Sequence, residues 1–132
     1  MLPEGVTSIE SETFSDCTSL SEIQMPSTVK TIGDYAFSYC QQLTEMVLPV
    51  GLESIGSAAF RYCTRLDMTI PDSVKTLGSG AFIGCSALKQ AYLPDGITEI
   101  SNLLYYQCAS LTDVEIPESV RKIERIYRAD RN

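Results

Sequence analysis

The chain has 132 residues, 44% of them hydrophobic, with 17 acids against 10 bases, no histidine and a formal charge of −7. That composition suits one folded domain. It disfavours nucleic acid and anionic membrane as partners of the body of the chain, though not of its tail, and it removes both the commonest general base and the commonest metal ligand. The acidity is uneven: residues 1–116 hold fourteen acids and five bases, residues 117–132 three acids and five bases. No run reaches the roughly 18 apolar residues of a membrane helix, so no membrane insertion is expected. No signal peptide precedes Pro3, which leaves a cytosolic protein or an excised piece of a longer chain as the expectation.

Read from Pro3, one unit recurs along the chain: P-x-x-V-x-x-I-G-x-x-A-F-x-x-C-x-x-L-x-x-I-x-I. Its first copy, Pro3 to Met25, places Val6, Ile9, Phe14, Cys17, Leu20, Ile23 and Met25 at the apolar positions. The second starts at Pro26 with Val29, Ile32, Ala36, Phe37, Cys40, Leu43, Met46 and Leu48 on the same columns. The third starts at Pro49 and carries Leu52, Ile55, Phe60, Cys63, Leu66, Met68 and Ile70, with one residue missing between Leu66 and Ile70. The fourth, from Pro71, has Phe82 and Cys85; the fifth, from Pro94, has Tyr105 in the phenylalanine column and Cys108. After Pro117 only Val120 and Ile123 keep phase. A period of 23 residues, once 22, marks a solenoid whose coils bury their apolar sides only by stacking. Residues 1–123 are assigned to it, and 117–132 to a degenerate last repeat with a basic C-terminal cap or tail.

Within each unit, a first segment such as Glu22 to Met25 or Thr112 to Ile116 alternates polar and apolar, as a half-buried strand does, and proline closes it. A second, such as Val29 to Ile32, is brief and β-branched. Between it and the cysteine, Asp34 to Cys40 reads as a short turn or helical segment whose apolar residues plug the interior. The expected fold is mostly β with short helical turns, a solenoid of about five and a half repeats. Phe14, Phe37, Phe60, Phe82 and Tyr105 form a spine at the strand spacing of roughly 4.8 Å.

The stretch LTEMVLPVGLESIGSAAFRYC resembles the leucine-rich repeats of the BspA-like type, found in surface and secreted proteins of gut and oral bacteria and in some protists. The match covers residues 3 to 123. The resemblance implies a leucine-rich repeat solenoid with an adhesion or protein-recognition role at the cell surface or in a secreted chain, and a host or extracellular-matrix protein as partner.

Chemistry has few footholds. Cysteines 22 or 23 residues apart lie along a line, whereas a zinc site needs thiolates converging on one point. Disulfides between neighbouring coils are within reach but leave an odd cysteine, so buried reduced thiols are the favoured reading. Cysteine and serine nucleophiles lack a histidine. Gly33, Gly56 and Gly78 recur as turn glycines rather than in a phosphate-binding loop. No enzyme activity and no cofactor is expected.

The informative surface is the outward face of the first strand, which reads Glu22 and Gln24, Glu45 and Val47, Asp67 and Thr69, Gln90 and Tyr92, Asp113 and Glu115 up the stack. Five of these ten are acids and none is a base. One reading is a solvated face; the other is a docking strip for a basic or polar protein, with Val47 and Tyr92 as apolar anchors. A calcium site would need several oxygens around one point. The second strand's face, with Lys30, Glu53 and Lys75 alternating in sign, reads as structural. Val120 to Asn132, if helical, groups Arg121, Arg125 and Arg128 on one side and caps the last coil or contacts an acidic neighbour. The first coil has no cap, which makes end-to-end stacking into a homo-oligomer the rival to partner recognition.

Overall fold

In each unit a polar residue followed by isoleucine or leucine forms a two-residue strand: Ser8–Ile9 (β1), Thr31–Ile32 (β2), Ser54–Ile55 (β3), Thr76–Leu77 (β4), Glu99–Ile100 (β6) and Lys122–Ile123 (β8). In all but β8 the second of the pair points in: Ile9, Ile32, Ile55, Leu77 and Ile100 are buried, whereas Ile123 is exposed. The computed structural model describes residues 2–123. The last-repeat residues beyond 123, including Arg125 and Arg128 of the expected cap, lie outside them.

β1 to β4 form one parallel sheet in chain order, each coil 22 or 23 residues above the last, as Ile9↔Ile32, Ile32↔Ile55 and Ile55↔Leu77. β6 pairs only with β8. The break follows from one residue. The amides of Gly33, Gly56 and Gly78 donate to Ile9, Ile32 and Ile55 carbonyls at 2.7–2.8 Å. A Cβ added at Gly33, Gly56 or Gly78 would sit 2.6, 2.5 or 2.3 Å from an atom of the coil below. The fifth unit has Ser101 there, and its hydroxyl rather than its amide reaches the Leu77 carbonyl, at 2.5 Å. A serine Cβ denies the close backbone approach that a glycine permits.

The segment after each glycine is a run of turns, with no helix among the described residues. Successive amides alternate between two partners. Ala36, Ser38 and Cys40 donate three residues back within the coil, at 3.2 Å, while Tyr35, Phe37 and Tyr39 donate to Ser57, Ala59 and Arg61 of the next coil at 2.7–2.9 Å. The alternation needs a left-handed residue every fourth position: Tyr35 (φ 59°), Tyr39 (φ 63°), Ala58 (φ 55°) and Tyr62 (φ 59°), with Gly80 and Gly84 in those columns of the fourth unit. Non-glycine residues tolerate this only where surrounding bonds over-determine it.

These turns aim the spine inward. Phe14, Phe37, Phe60, Phe82 and Tyr105 stack with ring centroids 5.2, 5.3, 5.6 and 5.8 Å apart. Beside them the thiols of Cys40, Cys63, Cys85 and Cys108 donate to the carbonyls of Phe14, Phe37, Phe60 and Phe82 at 3.0–3.2 Å. All five cysteines are free thiols, four of them buried and Cys17 half-buried. Each of the four buried cysteines therefore bonds the coil below as well as filling space, which a plain hydrophobe of that size cannot do.

Candidate functional site

The first-strand face is less regular than its sequence suggests. Only Gln90–Tyr92 (β5) and Asp113–Glu115 (β7) form a paired strand, with Gln90↔Asp113 and Tyr92↔Glu115 in register, and Glu22 and Glu45 meet in an isolated parallel bridge. The missing residue of the third unit explains the gap. The Asp67 amide donates to the Thr44 carbonyl at 3.3 Å, as Thr44 does to Ser21 and Thr112 to Lys89. Asp67 thus stands in the row of Thr44 and Lys89, one step before the Glu45 row. The Glu22–Glu45 row has no member in the third unit, and Lys89, which the sequence reading passed over, enters the face beside Asp67.

Glu22, Gln24, Glu45, Val47, Asp67, Thr69, Gln90, Tyr92 and Glu115 are all exposed. Alternation along the strand is the reason: Met46, Met68 and Ala91 between them are buried in the core. The exposed residues border three adjoining open hollows. One runs from Glu22 and Gln24 to Glu45, Val47 and Val50, the next joins Val47 to Asp67 and Thr69, and the third joins Asp67 and Thr69 to Lys89 and Gln90. Val47 and Val50 are each 85% exposed and border the same hollow, and Tyr92 is 48% exposed; adjoining exposed apolar side chains of this kind mark interaction surfaces. The sequence reading missed Val50 as well; its signal was a valine after Pro49 where the other units place glutamate, serine or aspartate.

Among the described residues no three cysteine or acidic side chains converge to hold a metal ion, and no helix is long and apolar enough to cross a membrane. Burial pushes the Cys40 thiol up to about 11 and those of Cys63 and Cys108 to about 12; Cys85 is raised well above the ordinary value for the same reason. Thiols held protonated this way are poor nucleophiles and poor metal ligands.

A family model for the BspA type leucine rich repeat region matches residues 7–127 in six copies. Among solved structures, a T. pallidum leucine rich repeat protein is 28% identical over 89% of this chain and 67% of its own length, with a TM-score of 0.78. A leucine rich cell surface protein from Faecalibacterium prausnitzii is 33% identical over 93% of this chain, TM-score 0.85. A leucine-rich repeat protein from Bacteroides ovatus is 28% identical over 94%, TM-score 0.68. This chain spans 34% and 38% of the length of the last two. Among curated proteins none matches this chain.

Proposed function

The chain belongs to the BspA-type leucine-rich repeat family, and from that premise we propose that it is a non-enzymatic protein-recognition module of a bacterial surface or secreted protein, binding its partner through the first-strand face. The observation that carries this reading is the exposure of Val47, 85%, on the same hollows as Glu22, Glu45 and Asp67. Apolar anchors ringed by charge are what a protein partner desolvates, and the acids select a basic or polar one. Val50 adds a second apolar group to the first hollow and Tyr92 extends the strip up the stack; Gln24, Thr69, Gln90 and Glu115 supply its polar rim, with Asp113 in register beside Gln90, and Lys89 interrupts its acidity. A host or extracellular-matrix protein fits that description. The test is affinity capture from host-cell surface and matrix fractions with the immobilised chain beside a Glu45→Lys/Val47→Asp variant of equal stability. Proteins retained by the first and lost by the second are the partners; identical retention would move the site elsewhere.

A second reading is favoured by the first coil, where Leu2, Phe14, Leu20 and Ile23 border an open hollow although Phe37, Phe60 and Phe82 above are fully buried. On this reading the coil end stacks on a coil of a second copy or of a longer surface protein. Light scattering across a concentration series checks it: mass growth that Phe14→Asp abolishes supports assembly, and a constant single-chain mass counts against stacking between copies.

A further inference from the structure

The turn side of the solenoid carries a second cluster that the strand face does not use. The Arg61 guanidinium carbon lies 5.0 Å from the Tyr35 ring centre and 5.1 Å from that of Tyr39, and its Nε donates to Ser38 Oγ at 3.3 Å. Tyr39 stacks on Tyr62 at 5.1 Å and 20°, and the Tyr62 hydroxyl donates to Gln107 Oε1 at 2.8 Å, two coils up. Gly84 makes this reach possible, since a Cβ there would come 2.4 Å from the Tyr62 ring. The result is a cation fixed by two rings and a hydroxyl, with its two NH2 groups uncommitted and no acid among the described residues paired with it. Asp34, next to Tyr35 in the chain, accepts the Ser57 amide at one oxygen, Oδ1, at 2.8 Å.

The Tyr35 and Tyr39 hydroxyls have no hydrogen-bond partner among the described residues and can donate beside Arg61, and the Gln107 amide stands beyond Tyr62; the exposed acids Glu12, Asp16 and Asp34 lie in the coils below, toward the Tyr35 end and away from Tyr106. In a chain of net charge −7, a preorganised arginine among donors selects a carboxylate, which it can grip with two parallel bonds. Tyr35 and Tyr106, each 38% exposed, stand at the two ends of the patch with half-buried Ile83 between them. Three coil spacings of roughly 4.8 Å separate the ends, the reach of about four extended residues. The Tyr39 ring is already engaged by Tyr62 and Arg61, which leaves little open aromatic face for a sugar to stack on. We propose that this turn face is a second recognition surface, taking an extended acidic segment of a partner protein with one aspartate or glutamate carboxylate on Arg61 and apolar side chains against Tyr35 and Tyr106.

The experiment titrates the intact chain with pentapeptides carrying a central Asp or Glu between apolar residues, with Asn or Gln counterparts, and with a carboxylated polysaccharide. Amide chemical shifts locate the site. The proposal expects acidic peptides to bind, perturbing residues around Tyr39, Arg61 and Gln107, with their amide counterparts about tenfold weaker. Arg61→Ala abolishes binding, Arg61→Lys keeps the charge and the fold but loses the two-bond grip and weakens it, and Lys75→Gln, on the second-strand face, leaves it unchanged. Equal binding of the amide peptides, indifference to both Arg61 variants, shifts confined to the strand face, no peptide binding at all, or binding of the polysaccharide alone would each overturn it.

Discussion

The Phe60 ring lies 5.3 Å from the Phe37 ring, centre to centre, and within 2° of parallel. It stacks equally on Phe82 above, at 5.6 Å and 2°, so one side chain ties three coils together. Phe60→Ala is expected to cost about 3–5 kcal/mol, the upper range for a buried aromatic, because both stacks are lost and a rigid backbone cannot collapse into the gap. Urea unfolding measures it. A loss under about 1 kcal/mol would mean the coils hold without their spine.

Tyr105 ends the same column, yet its fully buried hydroxyl has no hydrogen-bond partner among the described residues. Desolvation holds its pKa well above that of an ordinary tyrosine. Restoring the ring of the units below by Tyr105→Phe is expected to raise stability by about 1 kcal/mol, because the stack is kept and an unsatisfied polar atom removed. A destabilised variant would show that the hydroxyl is bonded in solution.

The cysteines give a kinetic and a pH prediction. A thiol reagent at neutral pH is expected to modify half-buried Cys17 first and to reach Cys40, Cys63, Cys85 and Cys108 only after denaturant is added; rapid native labelling of all five contradicts the fold. The buried thiols are raised from an ordinary value of 9 to about 11 or 12 at Cys40, Cys63 and Cys108. Between those limits the folded chain keeps protons that the unfolded chain releases. Their contribution is therefore complete below pH 9 and is lost as pH rises toward 12. Unfolding midpoints in reducing buffer should fall across this window, and less steeply in Cys63→Ala.

Glu22 and Glu45 meet directly across a parallel bridge, like charge against like. Replacing Glu22 by Gln should raise stability by a few tenths of a kcal/mol at low salt, with the gain fading as ionic strength screens the pair. Destabilisation by Glu22→Gln would argue that its carboxylate has a favourable partner.

What the sequence disclosed was the part decided by burial. Phe37, Cys40 and Leu43 recur in phase because each must enter the same core, so period and fold could be read directly. Features set by one backbone contact were hidden. Ser101 looks like a conservative stand-in for a turn glycine until the approach of the coil below is measured. Asp67 could be aligned from either side of the missing residue, and only its bond to Thr44 decides the row. Asp34 to Cys40 could be read as a turn or a helical segment, and bonding alternately within and between coils decides for turns with a left-handed residue every fourth position. The same ambiguity hid the second surface: Tyr39, Arg61, Tyr62 and Gln107 converge only when those turns are stacked.

The most direct test of strand-face recognition is the dissociation constant of a partner identified by capture, measured for the native chain, Glu45→Lys/Val47→Asp and Arg61→Ala by calorimetry at two salt concentrations. The account predicts at least a tenfold loss for the double strand-face variant, a native affinity that falls with salt, and little change for Arg61→Ala. An unchanged constant in the double variant, with binding abolished by Arg61→Ala, would contradict it and transfer the principal site to the turn face.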